Sequence, residues 1–176
     1  SYPSLKHDLE KEVVIIGAGI SGSLVAYCLR QAGMDIAVID RRHVGMGSTV
    51  ASTALLQYEI DTPMHMLARM QGLENAVRAY ELCRQAIYDI ERIVTEVKSQ
   101  SQFVFRPSFQ YASFKKDIVS LSTEYALRKQ HGFDVEWLEA SSIEKMFGIK
   151  AGGGILSPDG AEVDAYALTN DILFFL

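Results

Sequence analysis

The stretch from Val13 to Asp40, VVIIGAGISGSLVAYCLRQAGMDIAVID, constrains this chain more than any other. Val13 to Ile16 is a short β-branched run, the pattern of a parallel strand buried on both faces. Gly17, Gly19 and Gly22 follow at the G-x-G-x-x-G spacing. Between a strand and a helix each glycine has its own use. Gly17 permits the tight turn, Gly19 lets backbone approach a pyrophosphate, and Gly22 lets the helix sit close to the strand. The helix that opens here aims unpaired N–H groups and the positive end of its dipole at such phosphates. Ala26 continues the small-residue packing, and Leu24, Leu29 and Ala32 fill the apolar face. Arg30 and Gln31 face water, and Gly33 is the expected C-cap. A second buried strand, Ile36 to Ile39, ends at Asp40, eighteen residues beyond Gly22, where a carboxylate can accept from ribose hydroxyls. Because strand, helix, cap, second strand and acid all fall where the motif requires them, the stretch predicts a dinucleotide site. Asp40 would repel a 2′-phosphate. Arg41 and Arg42 argue the other way, toward NADP, but are read instead as packing over the adenine or paired with phosphate, with solvated surface charge as an equal alternative.

Composition narrows the partners. With 176 residues and a net charge of −5, and with no Lys/Arg cluster longer than a pair, the chain is a poor candidate for nucleic acid or anionic membranes. Its N-terminus, SYPSLKHDLEKE, is polar, and no apolar run reaches membrane-spanning length, so a cytoplasmic protein is expected. Cys28 and Cys83 have no CxxC or mixed Cys/His spacing and are expected as two lone buried thiols. His7, His43, His65 and His131 are scattered without ligand spacing, so no metal site is expected.

After Asp40 the chain does not continue into a third strand. Residues 43–63, HVGMGSTVASTALLQYEIDTP, are rich in Gly, Ser and Thr, and such a loop can return to the same pyrophosphate or serve as an ordinary connection with capping hydroxyls. Residues 64–100 read as largely helical, with Gly72 as a boundary. From Leu73 the apolar positions Val77, Tyr80, Cys83, Ile87, Ile90, Val94 and Val97 recur at helical steps as a core stripe. Phe103 to Phe105 and Phe109 to Ser113 read as two short strands with a turn at Pro107 and Ser108. Asp117 opens a helix that Gly132 closes, and Val135 to Leu138 is a strand. Ser141 and Glu144 have capping-box spacing for a short helix ending near Gly148. Gly152 to Gly154 form a bend into a strand at Ile155 to Ser157, Pro158 to Gly160 a turn, and Asp164 the cap of a last helix. That helix stops in an apolar run, Ile172 to Leu176, so a fragment of a protein about twice as long is expected.

Three stretches, VVIIGAGISGSLVAYCLRQAGMDIAVID, GMGSTVASTALL and GGGILSPDGAEVDAYAL, together resemble the N-terminal part of FAD-dependent oxidoreductases of the D-amino-acid oxidase family, which includes sarcosine and glycine oxidases and flavin-linked glycerol-3-phosphate dehydrogenase. The resemblance implies an α/β fold: a Rossmann-like FAD-binding βαβ unit carrying an inserted α+β portion of a substrate domain, and truncated. Residues 1–63 would belong to the FAD-binding domain, 64–157 to the substrate domain, and 158–176 would return to the first. Gly17, Ala18, Gly19, Ile20, Ser21 and Gly22 would wrap the pyrophosphate, Asp40 would hold the adenosine ribose, and Arg41 and Arg42 would flank the adenine. Gly47, Ser48 and Thr49 would meet the pyrophosphate or ribityl chain, and Thr53, Ala54 and Leu55 would line the isoalloxazine. The implied chemistry is hydride removal from a C–N or C–O bond of a small amino acid, amine or hydroxy compound to the flavin.

No catalytic residue is nominated. Gln57, Tyr58 and Glu59 are the nearest polar candidates, and core or interface side chains are the plainer account of them. Two alternatives stand beside the flavoenzyme. An NAD-dependent dehydrogenase shares the first motif but would continue through alternating strands and helices. A non-catalytic nucleotide-binding module is the other.

Overall fold

The computed structural model describes residues 2–176 and divides into two compact units. The first comprises residues up to Ala54 together with Glu91–Phe103 and Val163–Leu176. The second comprises Leu55–Ile90 and Val104–Glu162.

The first unit begins with β1 (Val13–Ile16), α1 (Ile20–Gln31) and β2 (Ile36–Ile39), as the periodicity of the sequence dictates. β1 and β2 are parallel and in register from Val13 opposite Ile36 to Ile16 opposite Ile39. The C-cap of α1 is Ala32, with Gly33 just beyond it at φ +81°. α6 (Ala165–Phe175) packs on α1, burying Ala26 and Tyr27 of one helix and Leu168 and Ile172 of the other. The Tyr27 hydroxyl donates to Glu96, at the end of the long helix α3 (Leu73–Glu96), and Gln31 Nε2 donates to the same carboxylate at 2.6 Å. Asp164 caps α6 as expected, its Oδ1 accepting from the Ala167 amide at 2.9 Å.

The expectation that β1 is buried on both faces is corrected. Ile15 lies toward α1, its Cγ2 3.5 Å from where a Cβ on Gly22 would sit, whereas Val14 and Ile16 are 47% and 85% exposed. Alternation along the strand sends these two to the opposite face, which no element of this unit covers among the described residues.

The second unit is an antiparallel sheet around β6 (Gly154–Glu162). β4 (Val104–Tyr111) pairs along one edge of β6; β5 (Glu136–Leu138) and the two-residue β3 (Leu55–Leu56) share the other. The two short strands with a turn expected around Pro107, and the one short strand followed by a turn expected at Ile155 to Gly160, are instead two continuous strands. Arg106 pairs with Gly160 and Ser108 with Ser157, so Pro107 faces Pro158 and Asp159 in a β-bulge. Proline has no N–H to give the ladder, and a bulge, where the ladder is already broken, tolerates it. The glycine run before β6 is there for packing. A Cβ on Gly153 would lie 2.2 Å from the Trp137 ring, and one on Gly154 would lie 2.5 Å from the Phe109 ring.

Four helices complete this unit: α2 (Met64–Gln71), the first part of α3, α4 (Ile118–Gln130) and α5 (Ala140–Phe147). Gly72, at φ +86°, separates α2 from α3. The expected capping box at Ser141 is not formed: the N-cap of α5 is Glu139, two residues earlier, with no side-chain cap. On α3 the buried positions of this unit are Ala76, Tyr80 and Ile87, while Leu73, the first residue of the helix, is exposed. Tyr58, Tyr80 and Phe133 form an aromatic cluster with centroids 5.4 to 6.1 Å apart. Beside it Arg128, 1% exposed, is 2.8 Å from Glu124, also 1% exposed. The cysteines are corrected too: both are free, but Cys28 is exposed and Cys83 only half-buried.

Candidate functional site

The glycine loop has the geometry its spacing predicts. Gly17 adopts φ +113°, open only to glycine without strain, and its amide donates to the Ile39 carbonyl at 2.8 Å. At Gly22 a side chain is impossible without movement, since a Cβ would fall 1.9 Å from the Gly17 carbonyl oxygen. α1 therefore starts pressed against the end of β1, with Gly19 as its N-cap and no acidic residue in its first turn. Ile20, Ser21 and Gly22 are the residues of that turn, whose amides no intrahelical carbonyl can reach. A negative group is favoured here by both the N–H groups and the dipole.

Gly19 has no side chain with which to cap α1. Thr49, from a short 3-10 turn at Thr49–Ala51, fills the role from 29 residues away, accepting the Ile20 amide on Oγ1 at 3.0 Å. Thr49 is buried, and its hydroxyl lies 3.0 Å from where a Gly19 Cβ would be, so a side chain on Gly19 would press on this contact. A hydroxyl that accepts from an amide keeps its own proton to donate, here toward whatever sits at the helix end. The loop carrying Thr49 is tied down by Gly45, which donates to the Ala18 carbonyl at 3.0 Å and has φ +71°. A Cβ on Gly45 would be 2.8 Å from the Tyr166 ring of α6. Gly45 and Tyr166 were not singled out in the sequence; the only signal was one more glycine in a glycine-rich loop.

Asp40 closes the arrangement. Its Oδ2 accepts from the Ala18 amide and its Oδ1 from the Arg42 amide, both at 2.8 Å. These two amides, with smaller help from the charges of Arg42 and Arg41, outweigh the opposing effect of desolvation and hold its pKa below the ordinary carboxylate value. The group is therefore an exposed anion near neutral pH, and with two of about four acceptor positions used it can still accept from ribose hydroxyls. Ala18, Asp40, Arg41, Arg42, His43 and Tyr166 contribute to a cleft of about 1570 Å³. Gly47 lies beside Arg42, whose Nη2 is 3.3 Å from a Gly47 Cβ position, and Ser48 sits at the N-cap position of the 3-10 turn without a side-chain capping bond.

The structure thus brings Gly17 to Gly22, Asp40 to Arg42 and Gly47 to Thr49 together within the first unit. Thr53 is exposed, and Ala54, at φ +49°, accepts from the Val163 amide at 3.3 Å. Leu55 opens β3 and belongs to the second unit. Tyr58 is wholly buried in the aromatic cluster, and Glu59 Oε1 accepts from Ser108 at 2.8 Å and faces Arg128 at 3.4 Å, so both have structural partners. Among the described residues no group of three or more His, Cys, Asp or Glu could hold a metal ion, and no helix is long and apolar enough to cross a membrane.

A glycine loop that needs positive φ at Gly17 and has no room for a Cβ at Gly22, a helix start free of acids and an ionised Asp40 fit the pyrophosphate and ribose of FAD. Comparison with known proteins agrees. The description "FAD dependent oxidoreductase" (DAO) matches residues 12–173. The putative Rieske 2Fe-2S iron-sulfur protein YhfW of Bacillus subtilis (strain 168) is 29% identical over 134 residues, 76% of this chain and 26% of that protein. Glycine oxidase from Bacillus cereus has a similar fold at TM-score 0.69 and 18% identity, with 94% of this chain covering 43% of that one. L-amino acid deaminase from Proteus myxofaciens gives a TM-score of 0.76 at 14% identity, with 99% of this chain covering 38% of that one. The chain spans about a quarter of the curated relative and about two fifths of the solved structures. With the family matched across nearly its whole length, the chain belongs to the FAD dependent oxidoreductases of the DAO family, whose cofactor is FAD.

Proposed function

We propose that this chain forms part of an enzyme that oxidises a C–N or C–O bond of a small amino acid, amine or hydroxy compound, with an α-amino acid as the favoured substrate. The observation that carries the proposal is the joint geometry of Gly17 to Gly22, Thr49 and Asp40. The names of the fold relatives, glycine oxidase and L-amino acid deaminase, support the amino-acid class. When bound, FAD supplies the hydride acceptor. The chain's own part is to hold it. The Ser21 and Gly22 amides of α1 and the Thr49 hydroxyl, itself held by the Ile20 amide, donate to the pyrophosphate, Asp40 accepts from the adenosine ribose, and Arg41 and Arg42 flank the adenine. Ser48 and Gly47 border the phosphates, and Thr53, Ala54 and Leu55 line the ring. In this reading the first unit is the nucleotide-binding share of the protein and the second the substrate-domain share.

The test is a visible spectrum of the whole protein, then heat release and chromatography of what comes off. Released FAD, followed by bleaching with amino acids, N-methyl amino acids or glycerol-3-phosphate, is the expected result. A colourless protein that takes up no added FAD but binds NAD would overturn the proposal. A second reading concerns where the electrons go. The B. subtilis relative is named as a Rieske iron-sulfur protein, which supports transfer to an iron-sulfur cluster elsewhere in the protein or in a partner. Anaerobic addition of substrate should then produce the electron paramagnetic signal of a reduced cluster. Stoichiometric oxygen consumption with no such signal would refute it.

A further inference from the structure

Within the second unit, three side chains stand in a line unrelated to the glycine loop. Ser120 Oγ lies 3.2 Å from His65 Nε2, and His65 Nδ1 lies 2.8 Å from Glu124 Oε2. Ser120 is in the first turn of α4 with Glu124 one turn further on, and His65 is in the first turn of α2. Glu124 is held from several sides. It accepts the Met64 and His65 amides, both at 2.9 Å, and Arg128 Nε at 2.8 Å. Burial alone would raise its pKa, but the His65 amide, the Arg128 charge, the His65 ring and the Met64 amide outweigh that and leave it lowered. An ionised carboxylate at Nδ1 selects the tautomer with the proton on that nitrogen, so Nε2 offers its lone pair to the Ser120 hydroxyl.

We propose that Ser120 is a nucleophile, with His65 as its base and Glu124 as the residue that positions His65, and that the site takes a short acyl group from a neutral ester. The three residues line a cavity of about 220 Å³ together with Gln110, Asp117 and Leu121. That volume is below the roughly 300–1,000 Å³ of a drug-sized site, which limits the acyl group to a short one. Asp117 and Glu124 line the cavity with negative charge and disfavour anionic esters. Ser120 is exposed and so within reach of solvent-borne esters, while the pinning of α2 to α4 is already done by Glu124 on the two amides. In the first step the Ser120 oxygen bonds to the carbonyl carbon as its proton passes to His65 Nε2. The ester C–O bond then breaks, and the leaving oxygen takes that proton. Water repeats the sequence on the acyl-serine, so the net change is ester plus water to acid plus alcohol, with no redox partner.

The test is incubation of the whole FAD-loaded protein with a fluorophosphonate probe and with p-nitrophenyl acetate, and peptide mapping of the adduct. One label per chain on Ser120, lost in Ser120→Ala while the flavin spectrum is unchanged, is the expected result. His65→Gln and Glu124→Gln should each slow labelling by about a hundredfold or more, at a temperature where the spectrum shows them folded. A helix clamp with no chemistry would lower their melting temperatures but leave Ser120 unlabelled in the wild type. No adduct on Ser120, or equal labelling rates in His65→Gln, would overturn the proposal.

Discussion

Replacing Gly22 with alanine tests whether the contact between α1 and the end of β1 builds the phosphate loop. The added Cβ would lie 1.9 Å from the Gly17 carbonyl oxygen and 3.1 Å from its carbon, where ordinary contact begins at 3.4 Å. Helix and loop must therefore part by about 1.5 Å, a distance set by van der Waals repulsion. The obstacle is backbone, so no side-chain rotation relieves it, and Gly17 is itself held by its 2.8 Å hydrogen bond to Ile39. Forced overpacking of this kind costs about 1–3 kcal/mol of stability. Displacing the first-turn amides of α1 also loses one or two charge-assisted hydrogen bonds to phosphate, each about 1.5–3 kcal/mol, so FAD should bind at least about tenfold more weakly. The assay is titration of whole apoprotein with FAD by flavin fluorescence, alongside thermal unfolding. Gly33→Ala is the control, since a Cβ there meets nothing within 4 Å although φ is +81°: it should lower the melting temperature slightly and leave FAD affinity alone. Gly22→Ala with wild-type affinity and melting temperature would refute the reasoning.

Thr49→Val keeps the shape but removes the cap on Ile20; it should cost about 1 kcal/mol in thermal stability and weaken FAD binding, and unchanged values for both would deny Thr49 its role. Asp40→Asn should weaken FAD binding by about tenfold with little effect on the circular dichroism spectrum; a change confined to folding would place Asp40 outside the ribose site. Arg128→Met leaves the Glu124 carboxylate buried without its cation and should destabilise by about 3–5 kcal/mol in urea unfolding, with the double variant Glu124→Gln/Arg128→Met recovering part of the loss. Glu124 has a folded pKa below its unfolded value of about 4.3, so its stabilisation is complete above that pH and is lost as pH falls through the folded value. Urea midpoints between pH 7 and pH 3 should fall less steeply in the double variant than in the wild type.

The sequence alone determined the βαβ start, its glycines, Asp40 and the Asp164 cap, because each depends on the backbone conformation or hydrogen bonding of residues close along the chain. A positive φ at Gly17 or a clash at Gly22 follows from a few adjacent residues whatever the rest of the protein does. The glycine and hydroxyl run after β2 was legible as a returning loop, but only the tertiary structure showed that Thr49 caps α1 and that Gly45 lies under Tyr166. Likewise Pro107 and Pro158 each read locally as turns, and only their pairing in one ladder turned both into parts of a bulge. The same holds for Arg128, whose burial against Glu124 and Gln110 comes from the packing of α2, α4 and β4. These features belong to pairs of segments far apart in the chain, and their free energy comes from burial and register that neither segment carries by itself.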